Sequence, residues 1–156
     1  MALSRHRGGV ALFYWDSPNF AVKEIRQFGA NVIACQLETG KRRWYIVGFY
    51  LALGDGTMIL DVEVAMAERP RGADLIVAGN FNMDLENIGS WGWDKDITTE
   101  VATEGLEDIV GNLLPQWRVW CKDRRAWEMV RQGRVVRSWT DYILVSNRRI
   151  FQNVAV

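Results

Sequence analysis

Long apolar runs are missing from this chain of 156 residues. No stretch of eighteen uninterrupted apolar residues occurs, so the sequence offers no membrane-spanning helix. The N-terminus, Met1-Ala2-Leu3-Ser4-Arg5-His6-Arg7, is basic but leads into no apolar region, and it is not expected to act as a signal peptide. Histidine is represented once, by His6, which stands at the far N-terminal end and reads as a solvated terminal residue. Cysteine occurs twice, as Cys35 and Cys121, with neither metal-ligand spacing nor a disulfide framework. Both read as reduced core residues, which suits an intracellular protein, nuclear or cytoplasmic. Internal repeats, low-complexity tracts and linkers are absent as well, and the length is that of one domain, residues 1–156.

What is present is a folding composition. Hydrophobic residues make up 49% of the chain, which excludes a disordered polymer. Eight tryptophans bring large apolar areas and one donor each, and most are expected in the core or as half-buried anchors. The formal net charge of zero conceals an uneven distribution. Residues 1–54 carry seven Lys/Arg and three Asp/Glu, residues 55–108 three and thirteen, and residues 109–156 nine and three. A basic face built from both ends is therefore allowed, as is the plainer alternative of solvated arginines on strand edges.

Period and punctuation predict mixed α and β elements. Gly8-Gly9 followed by Val10-Ala11-Leu12-Phe13 reads as a turn and a short buried strand. Asn31 to Leu37 reads as a second strand and Arg43 to Tyr50 as a third, joined into a hairpin by Glu38-Thr39-Gly40-Lys41. Ile59, Leu60, Val64 and Ala67 then recur at helical spacing, with Thr57 as N-cap and Pro70 as stop. Ala73 to Ala78 is an almost continuous apolar run, the pattern of a strand buried on both faces. Met83 to Lys95 reads as loop, and short helices are expected at 97–103 and 106–110. Trp117 to Cys121 returns to β. Trp127–Val130 and Val135–Trp139 flank Gln132-Gly133 as a hairpin, and Tyr142–Ser146 and Ile150–Val154 close the chain as strands. Mixed strands with few helices between them imply a layered sheet sandwich flanked by helices.

Two places could carry chemistry. The strand Leu75-Ile76-Val77-Ala78 delivers Gly79-Asn80-Phe81-Asn82, which places polar side chains at a sheet edge, where active sites collect; an ordinary Asn-rich turn is the competing explanation. Asp141, inside the β run Arg137 to Ser146, is a carboxylate that needs a partner if buried, or else it lies on an exposed face. The basic C-terminal third interleaves arginines with Trp117, Trp120 and Trp127. This is suited to stacking bases and meeting phosphates, or to a hairpin with one buried indole face and one charged face.

In order, a Gly-Gly-Val-Ala run, Val-Gly-Phe-Tyr, a helix, Leu-Ile-Val-Ala-Gly-x-Phe-Asn and Ser-x-x-Asp-Tyr-Ile-Leu resemble the endonuclease/exonuclease/phosphatase superfamily. The likeness covers nearly the whole chain and is greatest to the endonuclease domains of non-LTR retrotransposons. Trp120-Cys121-Lys122-Asp123-Arg124-Arg125 is similar to a segment of fungal elements. The resemblance implies an α/β (α+β) fold, a four-layered sandwich of mixed β-sheets flanked by helices, with Mg²⁺ as cofactor and DNA as partner. It further implies that Asn82 stabilises the pentacovalent phosphate, that Tyr50 stands near the scissile phosphate, and that Asp141 orients a catalytic histidine as a triad acid does. Arg124, Arg125, Arg134 and Arg137 are the expected nucleic-acid contacts.

Departures from that pattern bear on activity. Asn80 stands where the family has the aspartate of Gly-Asp-x-Asn, Leu51-Ala52 where prolines often follow the tyrosine, and Trp139 where arginine is common. The family's metal-binding glutamate would precede Gly8 and its Ser-Asp-His motif would follow Val156, so the fold is expected to be incomplete at both ends. An amide at residue 80 neither accepts a proton at neutral pH nor carries charge toward a cation, so Mg²⁺ is expected to bind weakly. Loss of a positioned base alone removes roughly 10²–10⁴-fold of rate. The expectation is a degenerate, catalytically inactive metal-dependent phosphodiesterase of retroelement origin, with unpaired sheet edges open to self-association. The alternatives are a non-catalytic nucleic-acid-binding module and a functionless fragment of a decayed element.

Overall fold

The computed structural model describes residues 9–14, 16–51, 57–81, 114–115, 127–131, 133–138 and 141–147. Along the chain run β1 (Ala21–Phe28), β2 (Val32–Thr39), β3 (Arg42–Tyr50), α1 (Thr57–Ala67), β4 (Asp74–Asn80), β5 (Leu114–Pro115), β6 (Trp127–Arg131), β7 (Arg134–Ser138) and β8 (Asp141–Val145). Six strands form one sheet in the order β1-β2-β3-β4-β8-β5, and β6 and β7 form a separate two-stranded ribbon. β3 and β4 are parallel while the other neighbours are antiparallel, so the sheet is mixed and the class is α/β, as expected.

Antiparallel neighbours need only tight turns. Gly40 (φ 52°) turns β2 into β3, and Gly133 (φ 74°) turns β6 into β7. The parallel pair cannot be joined so, and the chain crosses from β3 to β4 through α1. That helix packs on one face of the sheet. Ile59, Val62 and Ala65 meet a layer of Val32, Ala34, Val47, Phe49, Leu75 and Val77, all buried. Each such valine or isoleucine contributes roughly 1.5–3 kcal/mol when taken out of water. Arg26 on β1 pairs with Glu68, just past the helix, at 2.6 Å, and both are exposed enough for the pair to be worth about 1 kcal/mol at most.

The expected hairpins, the helix and the strands at Asn31–Leu37, Arg43–Tyr50, Ala73–Ala78 and Tyr142–Ser146 are present, with ends moved by a few residues. Three expectations change. Val10–Phe13 is irregular rather than a buried strand: Val10 lies beside Gly48, but Phe13 is 90% exposed. β4 buries Leu75 and Val77 while Ile76 and Ala78 are half-covered, so it is sheathed by the helix on one face and only partly on the other. β1 is a strand that the sequence pattern conceals, because a bulge between Lys23 and Ile25, with Glu24 at φ 35°, breaks its alternation. The same bulge, together with Lys23 and Arg26, blunts this outer strand as a template for pairing. The loop, helices and strands expected at 83–95, 97–103, 106–110, 117–121 and 150–154 lie outside the described residues. Among the described residues, no helix is long and apolar enough to cross a membrane.

Beneath the helix the Tyr45 hydroxyl is buried with no hydrogen-bond partner among the described residues. Burial, reinforced by Glu68, pushes its phenol pKa up. The folded state thus holds this proton more tightly than the unfolded chain does. That contribution is present below the unfolded pKa, about 10, and is lost as pH rises through the folded value. Tyr45→Phe is expected to leave neutral-pH stability unchanged or raise it by about 1 kcal/mol, and to lessen the alkaline decline. Urea denaturation at neutral pH and above about pH 10 measures both; a loss of about 2 kcal/mol at neutral pH would show that the hydroxyl is paired.

Candidate functional site

The ends of three neighbouring strands create the site. β3 and β4, being parallel, both finish at the same edge of the sheet, the position where α/β sheets bind ligands. β8, antiparallel to β4, begins there. The register sets Tyr50 opposite Asn80 and Asn80 opposite Asp141, one cross-strand row made from residues distant in sequence. At the usual strand spacing the outer two backbones are roughly 10 Å apart.

Local packing holds this row. Alternation puts Phe49 and Gly79 on the helix-covered face, so Tyr50 and Asn80 belong to the opposite face, where both are half-buried. Leu51 N–H donates to Asn80 C=O at 2.9 Å, carrying the parallel ladder past the last strand residue. Tyr50 N–H donates to Asn31 C=O at 3.0 Å. The rings of Phe49 and Phe81 meet edge to face, with centroids 4.5 Å apart and planes at 76°. Phe81 and Leu51 are fully buried. Between them Gly79 lets the strands approach: a Cβ there would collide with the Phe49 carbonyl oxygen. The Gly79-Asn80-Phe81 sequence is therefore a close contact, a half-buried polar residue and an anchor.

Of the expected site residues, Tyr50, Asn80 and Asp141 come together in one row. Asn82, Arg124 and Arg125 lie outside the described residues. Arg134 and Arg137 are on β7 of the separate ribbon, in register with Arg131 and Glu128. Asn31, whose backbone oxygen secures Tyr50, was not foreseen, because nothing in its turn sequence reveals a partner nineteen residues away. Among the described residues no three His, Cys, Asp or Glu side chains gather. The row offers one neutral amide and one carboxylate position, a donor set too poor in charge for a divalent cation that prefers carboxylate oxygens. These residues do not fit a metal centre. Amide and phenol groups are chemically able to meet a phosphate or another acceptor-rich ligand as donors.

On the far side of the same sheet face, Leu12, Phe13, Tyr14, Phe20, Val22, Cys35, Leu37 and Ile46 line an apolar cavity of about 230 Å³. Cys35 is free and buried there, and burial pushes its thiol pKa up, which disfavours the thiolate.

Solved structures share this architecture. The endonuclease domain of TRAS1, a telomere-specific non-LTR retrotransposon, is similar at a TM-score of 0.57 and 16% identity, over 86% of this chain and 59% of that one. D. rerio TDP2 complexed with single-strand DNA product is similar at 0.52 and 18%, over 81% and 53%. An endonuclease/exonuclease/phosphatase family protein from Leptotrichia buccalis is similar at 0.50 and 14%, over 74% and 42%. No family model matches the sequence, and no curated protein does. The chain has the endonuclease/exonuclease/phosphatase type of fold and spans 59% of the TRAS1 domain's length.

Gly79→Ala tests the packing beneath the row. Forcing a methyl against the Phe49 carbonyl is expected to cost about 1–3 kcal/mol, the range for an overpacked core, seen as a lower urea midpoint. Stability equal to that of the parent would show that the two strands are not in this close contact.

Proposed function

We propose that this chain is a nucleic-acid-binding domain built on a retroelement endonuclease fold, with phosphodiester hydrolysis at or near background. The observation that carries the reading is the row Tyr50–Asn80–Asp141, with an amide at its centre. The order of sequence motifs and the fold both support a nuclease ancestry, and the donor groups of the row support a phosphodiester as its ligand. DNA is the partner that fits this ligand chemistry, and Arg124, Arg125, Arg134 and Arg137 are proposed as contacts to its backbone.

The chemistry follows from what each residue can do. Asn80 presents an N–H₂ that donates to a phosphate oxygen and an amide oxygen that accepts but does not take up a proton at neutral pH. Tyr50, one strand away, donates a second hydrogen bond. Asn82, two residues after Asn80, is proposed as a third donor, to the oxygens that gain charge during attack on phosphorus. Asp141 supplies the carboxylate position of the row. Hydrogen bonding without a base binds the diester but leaves water unactivated.

A plasmid-nicking assay in Mg²⁺ or Mn²⁺ separates binding from cutting. The chain is expected to bind DNA in a salt-dependent way and to nick at the rate of a protein-free control. Asn80→Asp is the informative variant. A rise of roughly 10²–10⁴-fold would mean that this one substitution silenced the site, whereas no rise would mean that more than the base is wanting. Nicking by the parent chain that disappears in Asn82→Ala contradicts the inactive reading.

A further inference from the structure

The opposite end of the sheet carries an unexpected concentration of positive charge. Lys41 and Arg42-Arg43 lie at the β2–β3 turn, and Arg69 and Arg71 lie in the α1–β4 loop; all five are exposed. Sequence distance conceals their proximity, which the parallel pairing creates. Trp44 is in register with Asp74, so the start of β3 abuts the end of the α1–β4 loop. A Cβ on Gly72 would stand 4.0 Å from Arg43 Nη2, which places that guanidinium against the loop. Both supports are tight turns rather than loose coil. Gly40 and Gly72 adopt φ of 52° and 80°. Arg69 N–H donates to Met66 C=O at 3.2 Å, and Ala73 N–H donates to Pro70 C=O at 3.1 Å.

These cations have no ion-pair or hydrogen-bond partner among the described residues, although Glu38 stands opposite Arg43 in the β2–β3 register. Glu68 pairs with Arg26 at 2.6 Å. Glu38 accepts from Gln36 Nε2 at 2.6 Å, and Asp74 accepts from Asn147 Nδ2 at 3.3 Å. The helix C-terminus accounts for one or two basic residues nearby through its partial negative charge. It does not account for five at one edge of the sheet from two separate loops. The five cations outnumber Glu38 and Asp74, the two carboxylates left at this edge, and like charges in excess repel, so a polyanion would relieve them.

We infer that Lys41, Arg42, Arg43, Arg69 and Arg71 form a second nucleic-acid contact that grips the phosphate backbone of a duplex without reading its sequence. Arginine predominates, and its planar fork suits phosphate oxygens. A lipid surface fits less well, since membrane docking couples basic residues to inserted apolar ones. The exposed large hydrophobics among the described residues (Phe13, Tyr14, Ile25, Leu60 and Val64) fall in neither loop. Arg42 and Tyr50 are eight residues apart along β3, so roughly 26 Å separates this surface from the proposed site. A DNA bound at both ends must reach across that distance, which is about eight base pairs of duplex. This second surface depends on the proposed DNA partner, though not on the row or on its inactivity.

The test is fluorescence anisotropy with a labelled duplex of about 20 base pairs between roughly 50 and 200 mM salt. The variant is the triple charge reversal Lys41→Glu, Arg42→Glu and Arg71→Glu. It is expected to bind at least tenfold more weakly, with a salt slope shallower by about 0.9 for each phosphate no longer neutralised. The corresponding glutamine triple, with unchanged melting, should show the same direction with a smaller effect. Unchanged affinity and slope in these variants, with binding abolished instead in Tyr50→Ala with Asn80→Ala, overturns this surface and leaves the proposed function standing. Tighter binding to phosphatidylserine-rich vesicles than to the duplex also overturns it. A parent chain that binds no duplex at the lowest salt removes both readings.

Discussion

The parallel pairing of β3 with β4 is the constraint from which the rest of the structure follows. Parallel neighbours require a crossover, and the crossover here is α1, whose Ile59, Val62 and Ala65 close one face of the sheet. The same pairing brings two strand ends to one edge and two strand beginnings to the other. It therefore determines both proposed surfaces at once: Tyr50 beside Asn80 at one end, and the Arg42-Arg43 turn beside the Arg69–Arg71 loop at the other. Gly79 is where the contact is tightest, because its backbone meets the Phe49 carbonyl with no room for a side chain.

Charge is distributed unevenly between those two ends. The row has a neutral amide at its centre, and hydrogen-bond donors rather than strong bases define it. The opposite edge is cationic and lacks internal partners among the described residues. The proposed division of labour, a cationic edge for binding and an amide-centred row in place of a base, rests on how differently binding and hydrolysis depend on charge. Binding draws on summed attraction over many phosphates, whereas hydrolysis needs an activated nucleophile at one phosphorus atom.

Much of this was legible in the residues themselves. Apolar alternation announced β2 and β3, helical spacing announced α1, and the Gln132-Gly133 dipeptide announced the β6–β7 ribbon, because each signal is local and matches its element's period. Tyr50, Asn80 and Asp141 stand out as a set through the family resemblance that the motif order carries, and the register puts them in one row. β1 was not legible, since the bulge at Glu24 shifts its alternation midway. Val10–Phe13 had the composition of a strand but lies in an irregular segment.

Residue identity and local pattern were enough to tell which segments extend and which coil, that residue 80 is an amide, and that the single histidine is remote from the motifs. Strand neighbours were not among these things. That Asn80 stands between Tyr50 and Asp141, and that the β2–β3 turn and the α1–β4 loop bring five cations to one edge, emerged with the folded sheet. The difference is one of range. Propensity, periodicity and turn chemistry act over a few residues, while strand order depends on burying apolar faces contributed from across the chain, and no local pattern encodes which partner satisfies that burial.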